Sequence, residues 1–185
     1  MLAARPGDVL AVWTGDQEAQ KAIRIGDVLE GKPAVANHVI GVTHQDVQGR
    51  WMGLEGRPGG FGLADCTPYL NDPRTRSNHF QERTDKDNLE LIAITAKMTG
   101  TPYDWVGIDL DALDALGLDF FIPVIDKIWR WPSDGNLLPG HVVCSSAWAW
   151  AYKRCRLQHP STGAERTCSP GDWWVFNNRF PAVEA

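Results

Sequence analysis

Short apolar strands first, helices next and a closing strand last: that order predicts an α+β domain rather than a parallel doubly wound sheet. Brief apolar runs rich in Val, Ile and Leu crowd the first third of the chain, divided by Gly-containing turns. Helical periodicity is concentrated in the second half. Neither an internal repeat nor a low-complexity linker interrupts the 185 residues, so a single domain spanning 1–185 is expected.

The first strand is expected over Asp8–Thr14, after the turn former Arg5-Pro6-Gly7. Asp16 to Arg24 reads as a short helix with Ala19, Ala22 and Ile23 on one side. Asn37–Thr43 and Arg50–Glu55 read as the second and third strands, joined by a turn at Gln48-Gly49. A short antiparallel strand around Phe61–Leu63 follows the glycine-rich stretch from Gly56. Pro68 to Arg83 is polar and loop-like. Thr84 or Asp85 then caps a helix that presents Leu89, Ile92, Ala93 and Ala96 and stops at Gly100. One or two helical pieces are expected between Val106 and Trp131, and a loop over Pro132–Gly140. The alanines and aromatics from Cys144 to Arg154 suit a buried helix, and Ser169–Phe176 reads as the final strand.

Composition narrows the function. Eighteen basic against 23 acidic residues, with no run of Lys or Arg, argue against nucleic acid. Nine tryptophans and six phenylalanines supply apolar area for a core, which excludes a disordered tail. The N-terminus has no secretory pattern and no apolar stretch is long enough to span a bilayer, so a cytoplasmic protein without a transmembrane segment is expected. Four irregularly spaced cysteines do not make a disulfide scaffold.

One of those cysteines occupies a position with chemical meaning. Cys144 falls at the first turn of its helix, where unpaired N–H groups and the positive end of the dipole favour thiolate. Ser145 and Ser146 are placed to cap the helix or donate to a developing oxyanion. A nucleophilic thiol needs a base, and His38 stands on a strand among Val35, Val39, Ile40 and Val42. Glu55 ends the next strand and is the candidate to orient the ring. Taken singly, each has a plainer reading: an inert core thiol, a structural histidine, a solvated strand end. His141, Cys144, Cys155 and Cys168 form a weaker zinc alternative, because Cys144 and Cys155 on one helix stand roughly 16 Å apart by helical rise. His44 falls at the polar end of its strand, where solvent exposure is expected.

Pro6-Gly7-Asp8, Asn37-His38-Val39-Ile40-Gly41 and Gly53-Leu54-Glu55-Gly56, with Val143-Cys144-Ser145-Ser146 arriving last, together resemble the NlpC-type branch of papain-like cysteine hydrolases. That branch usually runs cysteine helix first, then the histidine strand and a third polar residue. This order therefore looks like its circularly permuted members, similar to YiiX-like proteins and lecithin:retinol acyltransferases. Thr99-Gly100-Thr101-Pro102-Tyr103-Asp104 and Ser169–Asp172 match the same branch. The last histidine is His159, so the unpermuted order, which needs one after Asp172, cannot be met. The segment from Gly107 to Gly140 is long and aromatic for the family, and the spacer between His38 and Glu55 is generous.

The resemblance implies a papain-like fold in permuted order, a small antiparallel sheet packed against helices. It implies Cys144 as nucleophile, His38 as base and Glu55 as orienter, with Tyr103 and Ser145 at the substrate and oxyanion. The expected activity is cysteine hydrolysis of an amide or ester through an acyl-enzyme, on a small peptide or acyl substrate, with no metal or organic cofactor. A thiol acyltransferase and a catalytically silent binding domain of the same fold are the alternatives. The aromatic stretch Leu118–Trp131 reads as core or lid, or as an apolar wall for an acyl chain. Oligomeric state is left open.

Overall fold

A computed structural model describes residues 1–15, 18–29, 31–57, 59–102, 143–160 and 168–180. In chain order they form β1 (Val9–Val12), α1 (Glu18–Leu29), β2 (His38–Gln45), β3 (Trp51–Arg57) and β4 (Gly60–Asp65). There follow α2 (Thr67–Leu70), β5 (Arg76–Ser77), α3 (Asp85–Ala96), α4 (Cys144–Arg154) and α5 (Pro170–Asn177). Among the described residues the strands make one open antiparallel sheet in the order β4-β3-β2-β1-β5, so the α+β class holds. The turn between β2 and β3 is built by Asp46, whose Oδ1 accepts from the N–H groups of Gln48 and Arg50 at 2.9 Å. Gly49 closes it at φ +78°, a backbone conformation that favours glycine. No helix among the described residues is long and apolar enough to cross a membrane.

Alternation along the strands sorts side chains onto two faces. Val9, Ala11, Val39, Leu54 and Phe61 join the main core with Leu91 and Met98, the apolar length of α4, and Trp173 and Phe176 of α5. Leu10, Val12, Ile40 and Val42 face the other way, against Cys66 and Leu70. α4 crosses the sheet at Gly41, where a Cβ would overlap the Trp148 ring. Trp148 Nε1 donates to Leu54 O at 3.1 Å, and Trp173 Nε1 donates to Ser145 O at 3.0 Å. The far end of α4 is held by Tyr152, whose hydroxyl donates to Gly7 O (2.7 Å) and accepts from Arg83 Nη1 and Asn78 Nδ2. Arg83 also pairs with buried Asp8, so the Pro6-Gly7-Asp8 turn anchors the helix that carries Cys144.

Several expectations are corrected. Ser169–Phe176 is not a strand but most of α5 and its cap. Ser169 Oγ accepts from Asp172 N, the Asp172 carboxylate accepts from Ser169 N, and proline occupies the first turn. Pro68–Arg83 is not all loop, since it holds most of α2 and the two-residue β5. α3 starts at the Thr84 cap, with the same box closed by Asp87, and its helical residues end at Ala96 before the turn to Gly100. Its buried face is Asn88, Leu91 and Thr95, whereas Leu89, Ala93 and Ala96 are exposed. Polar groups share that face because each is bonded: Asn88 Oδ1 accepts from Arg83 Nε, and Thr95 Oγ1 donates to Leu91 O.

α1 runs past Arg24 to Leu29; Asp16 and the side chains of Ala19 and Ala22 lie outside the described residues. It docks on α5 through Asp27, which is buried against Ser169 and the Gly171 backbone. Lys32 Nζ reaches Asp172 Oδ2 at 2.8 Å beside it. The pieces expected between Val106 and Gly140 also lie outside the described residues.

Candidate active site

β2 begins at His38 and β3 carries Glu55, paired directly with Ile40. A residue two positions along a strand returns to the same face, so His38, Ile40, Glu55 and Arg57 project together. His38 Nε2 meets Glu55 Oε2 at 2.6 Å. The ladder between β2 and β3 ends at Ile40–Glu55, although β3 continues to Arg57 in its pairing with β4. The strands therefore part beside His38 and Val39, and the N-terminus of α4 meets β2 there. Cys144 lies beside the Val39 N–H and the His38 imidazole, and both favour its thiolate. Since Nε2 is committed to Glu55, Nδ1 is the ring nitrogen available to sulfur.

Electrostatics favour the ionised pair. Burial opposes charge on all three groups, with Cys144 1%, His38 12% and Glu55 3% exposed. For Cys144 burial and the nearby Glu55 charge both raise the thiol, but the His38 charge, its hydrogen bond and the Val39 N–H outweigh them, so it is held below its ordinary value. For His38 burial is likewise outweighed, by Cys144 and then Glu55, and the imidazolium persists well above the usual range. Glu55 is lowered despite burial by His38 and by Arg57, whose Nε donates to Oε1. The other cysteines go the opposite way. Burial pushes Cys66 and Cys155 up to about 12, and Cys168 well above its ordinary value.

Val143 is the N-cap of α4 and supplies no side-chain cap bond. The capping role expected of the serines is therefore not found: both lie inside the helix, and Ser146 Oγ donates to Cys168 O at 3.4 Å. The N–H groups of the first turn have no acceptor within the helix by geometry and lie next to the thiol. Ser145 is buried directly after the thiol. Tyr103, His141 and the 118–131 segment lie outside the described residues. Cys144 and Cys155 stand at opposite ends of α4, and His44 is exposed. Arg57 was not singled out from sequence; its signal was its position, two residues after Glu55 and so on the same face. No family model, curated protein or solved structure matches the chain.

Proposed function

We propose that the chain is a cysteine hydrolase of papain-like fold in permuted order, cleaving an amide or ester bond. The observation that carries this is the His38 ring, bound at Nε2 by a buried carboxylate and interacting with a thiol at a helix N-terminus. The Cys144 thiolate adds to the substrate carbonyl carbon, and the oxygen takes the negative charge, facing first-turn N–H groups. His38 gives its proton to the departing amine or alkoxide as the C–N or C–O bond breaks, leaving a thioester. The neutral ring then takes a proton from water, whose oxygen attacks the thioester and releases the acid and the thiolate. Glu55 keeps Nε2 protonated throughout and balances the imidazolium.

Alkylation tests the reading without knowledge of the substrate. At about pH 6, where an ordinary thiol is almost wholly protonated, iodoacetamide is expected to label Cys144 ahead of Cys66, Cys155 and Cys168. His38→Ala abolishes that preference. Equal labelling of all four, unchanged in the variant, overturns the enzyme and leaves a silent binding domain. For an active enzyme, product analysis with added amine or alcohol distinguishes hydrolysis from acyl transfer.

A further inference from the structure

Among the described residues the Glu55 carboxylate has two partners, one on each oxygen, and only one of them belongs to the thiol–imidazole chemistry. Oε2 takes the His38 ring; Oε1 takes Arg57 Nε. Glu55 is nearly inaccessible, whereas the Arg57 side chain is 55% exposed, so the guanidinium reaches inward from solvent to a buried anion. We propose that Arg57 is a positioning residue: its fixed charge keeps the Glu55 carboxylate ionised and aimed at His38, and thereby sets the acid limit of Cys144 reactivity. The inference rests on the thiol–imidazole reading of the site.

The groups facing Glu55 define what Arg57 must do. From β2 comes His38, from α4 Cys144, and from α2 and the turn before it Tyr69 and Cys66. Burial raises both Tyr69 and Cys66, so neither bears charge near neutrality. The charged neighbours are thus the imidazolium, the thiolate and Arg57. The thiolate is lost as pH falls and the imidazolium as pH rises. Among the described neighbours Arg57 is the cation that stands outside the thiol–imidazole pair. Without it, burial favours the neutral carboxyl of Glu55 as pH falls. His38 then loses its anionic partner, its charge supports the thiolate less firmly, and Cys144 takes up its proton at a higher pH.

The test is the pH profile of Cys144 alkylation by iodoacetamide in the full chain, with the unfolding midpoint measured alongside as a control. Arg57→Gln is expected to move the acid half-point upward by about one pH unit, a tenfold change in proton concentration. Arg57→Lys, which keeps the charge but loses the planar fork, moves it by less than half as much. In a Glu55→Gln background Arg57→Gln adds no further shift, because the two residues act through one carboxylate. A half-point that stays in place or moves down in Arg57→Gln, while wild-type Cys144 still shows reactivity dependent on His38, overturns the role of Arg57 alone. Loss of that dependence in the wild type overturns the site reading and this proposal with it.

Discussion

Glu55 shows how one side chain is held in a state that its surroundings oppose. Burial favours the neutral acid, yet His38 and Arg57 hold it below the usual carboxylate range. A carboxylate with a depressed folded-state pKa stabilises above its unfolded pKa and loses that contribution as pH falls through the folded value. Glu55→Gln retains shape and one acceptor oxygen but no charge. It is expected to lower turnover tenfold or more, since the ring loses its counter-ion while its neighbours keep their packing. Unfolding measured from pH 7 downward is expected to fall less steeply in the variant than in wild type. An unchanged rate would assign the orientation of His38 to another group.

Two elements are placed by contacts that leave little room. α4 lies on β2 only because residue 41 has no side chain, and Trp148 cannot slide away while its Nε1 is bound to Leu54 O. Gly41→Ala is expected to cost about 2–3 kcal/mol in chemical denaturation, as overpacking does, and to reduce Cys144 labelling by shifting the helix. α1 docks through a carboxyl whose burial raises it to about 6, against smaller lowering by Ser169, Lys32 and Gly171 and a further rise from Asp172. Here the folded pKa lies above the unfolded one. Its contribution is therefore fully present below the ordinary carboxylate value of 3.8 and lost as pH rises through about 6. Asp27→Asn is expected to raise the unfolding free energy by about 2 kcal/mol at pH 8 and to have little effect near pH 3. A variant less stable than wild type at pH 8 would mean that the charge on Asp27 holds α1 in place.

At the scale of the whole molecule, short apolar runs bounded by turn residues located β1 to β4, and the Ala-rich, aromatic run after Val143 located α4. His38 and Glu55 were legible because each stood in an apolar strand context, and Cys144 because it falls at the first turn of its helix. Their meeting was not legible from periodicity, since it depends on where the β2–β3 ladder ends. The errors were of two physical kinds. Trp173–Phe176 looked like a strand because bulky residues crowd it, while the capping box at Ser169 and Asp172 decides for helix. On α3 the periodic apolar residues pointed the wrong way, because the core there accepts Asn88 and Thr95, whose side-chain oxygens are hydrogen-bonded. Asp8, Arg83 and Tyr152 come from three distant stretches of chain, and no local pattern announces that they share one network.

The parting of β2 and β3 also orders events in time. His38 and Glu55 belong to one hairpin, so base and carboxylate meet by closing a short loop. Cys144 follows 89 residues after Glu55 and enters the fork only when α4 docks across Gly41 (144 minus 55). During vectorial synthesis both strands of the hairpin are made before the sulfur. A thiol outside the fork titrates like any other, so the chain carries no activated nucleophile until its long-range packing is finished. Refolding from denaturant with pulses of iodoacetamide at about pH 6 is expected to show labelling of Cys144 only in the last phase, with the burial of Trp148. Labelling that precedes tryptophan burial would place activation in the hairpin itself.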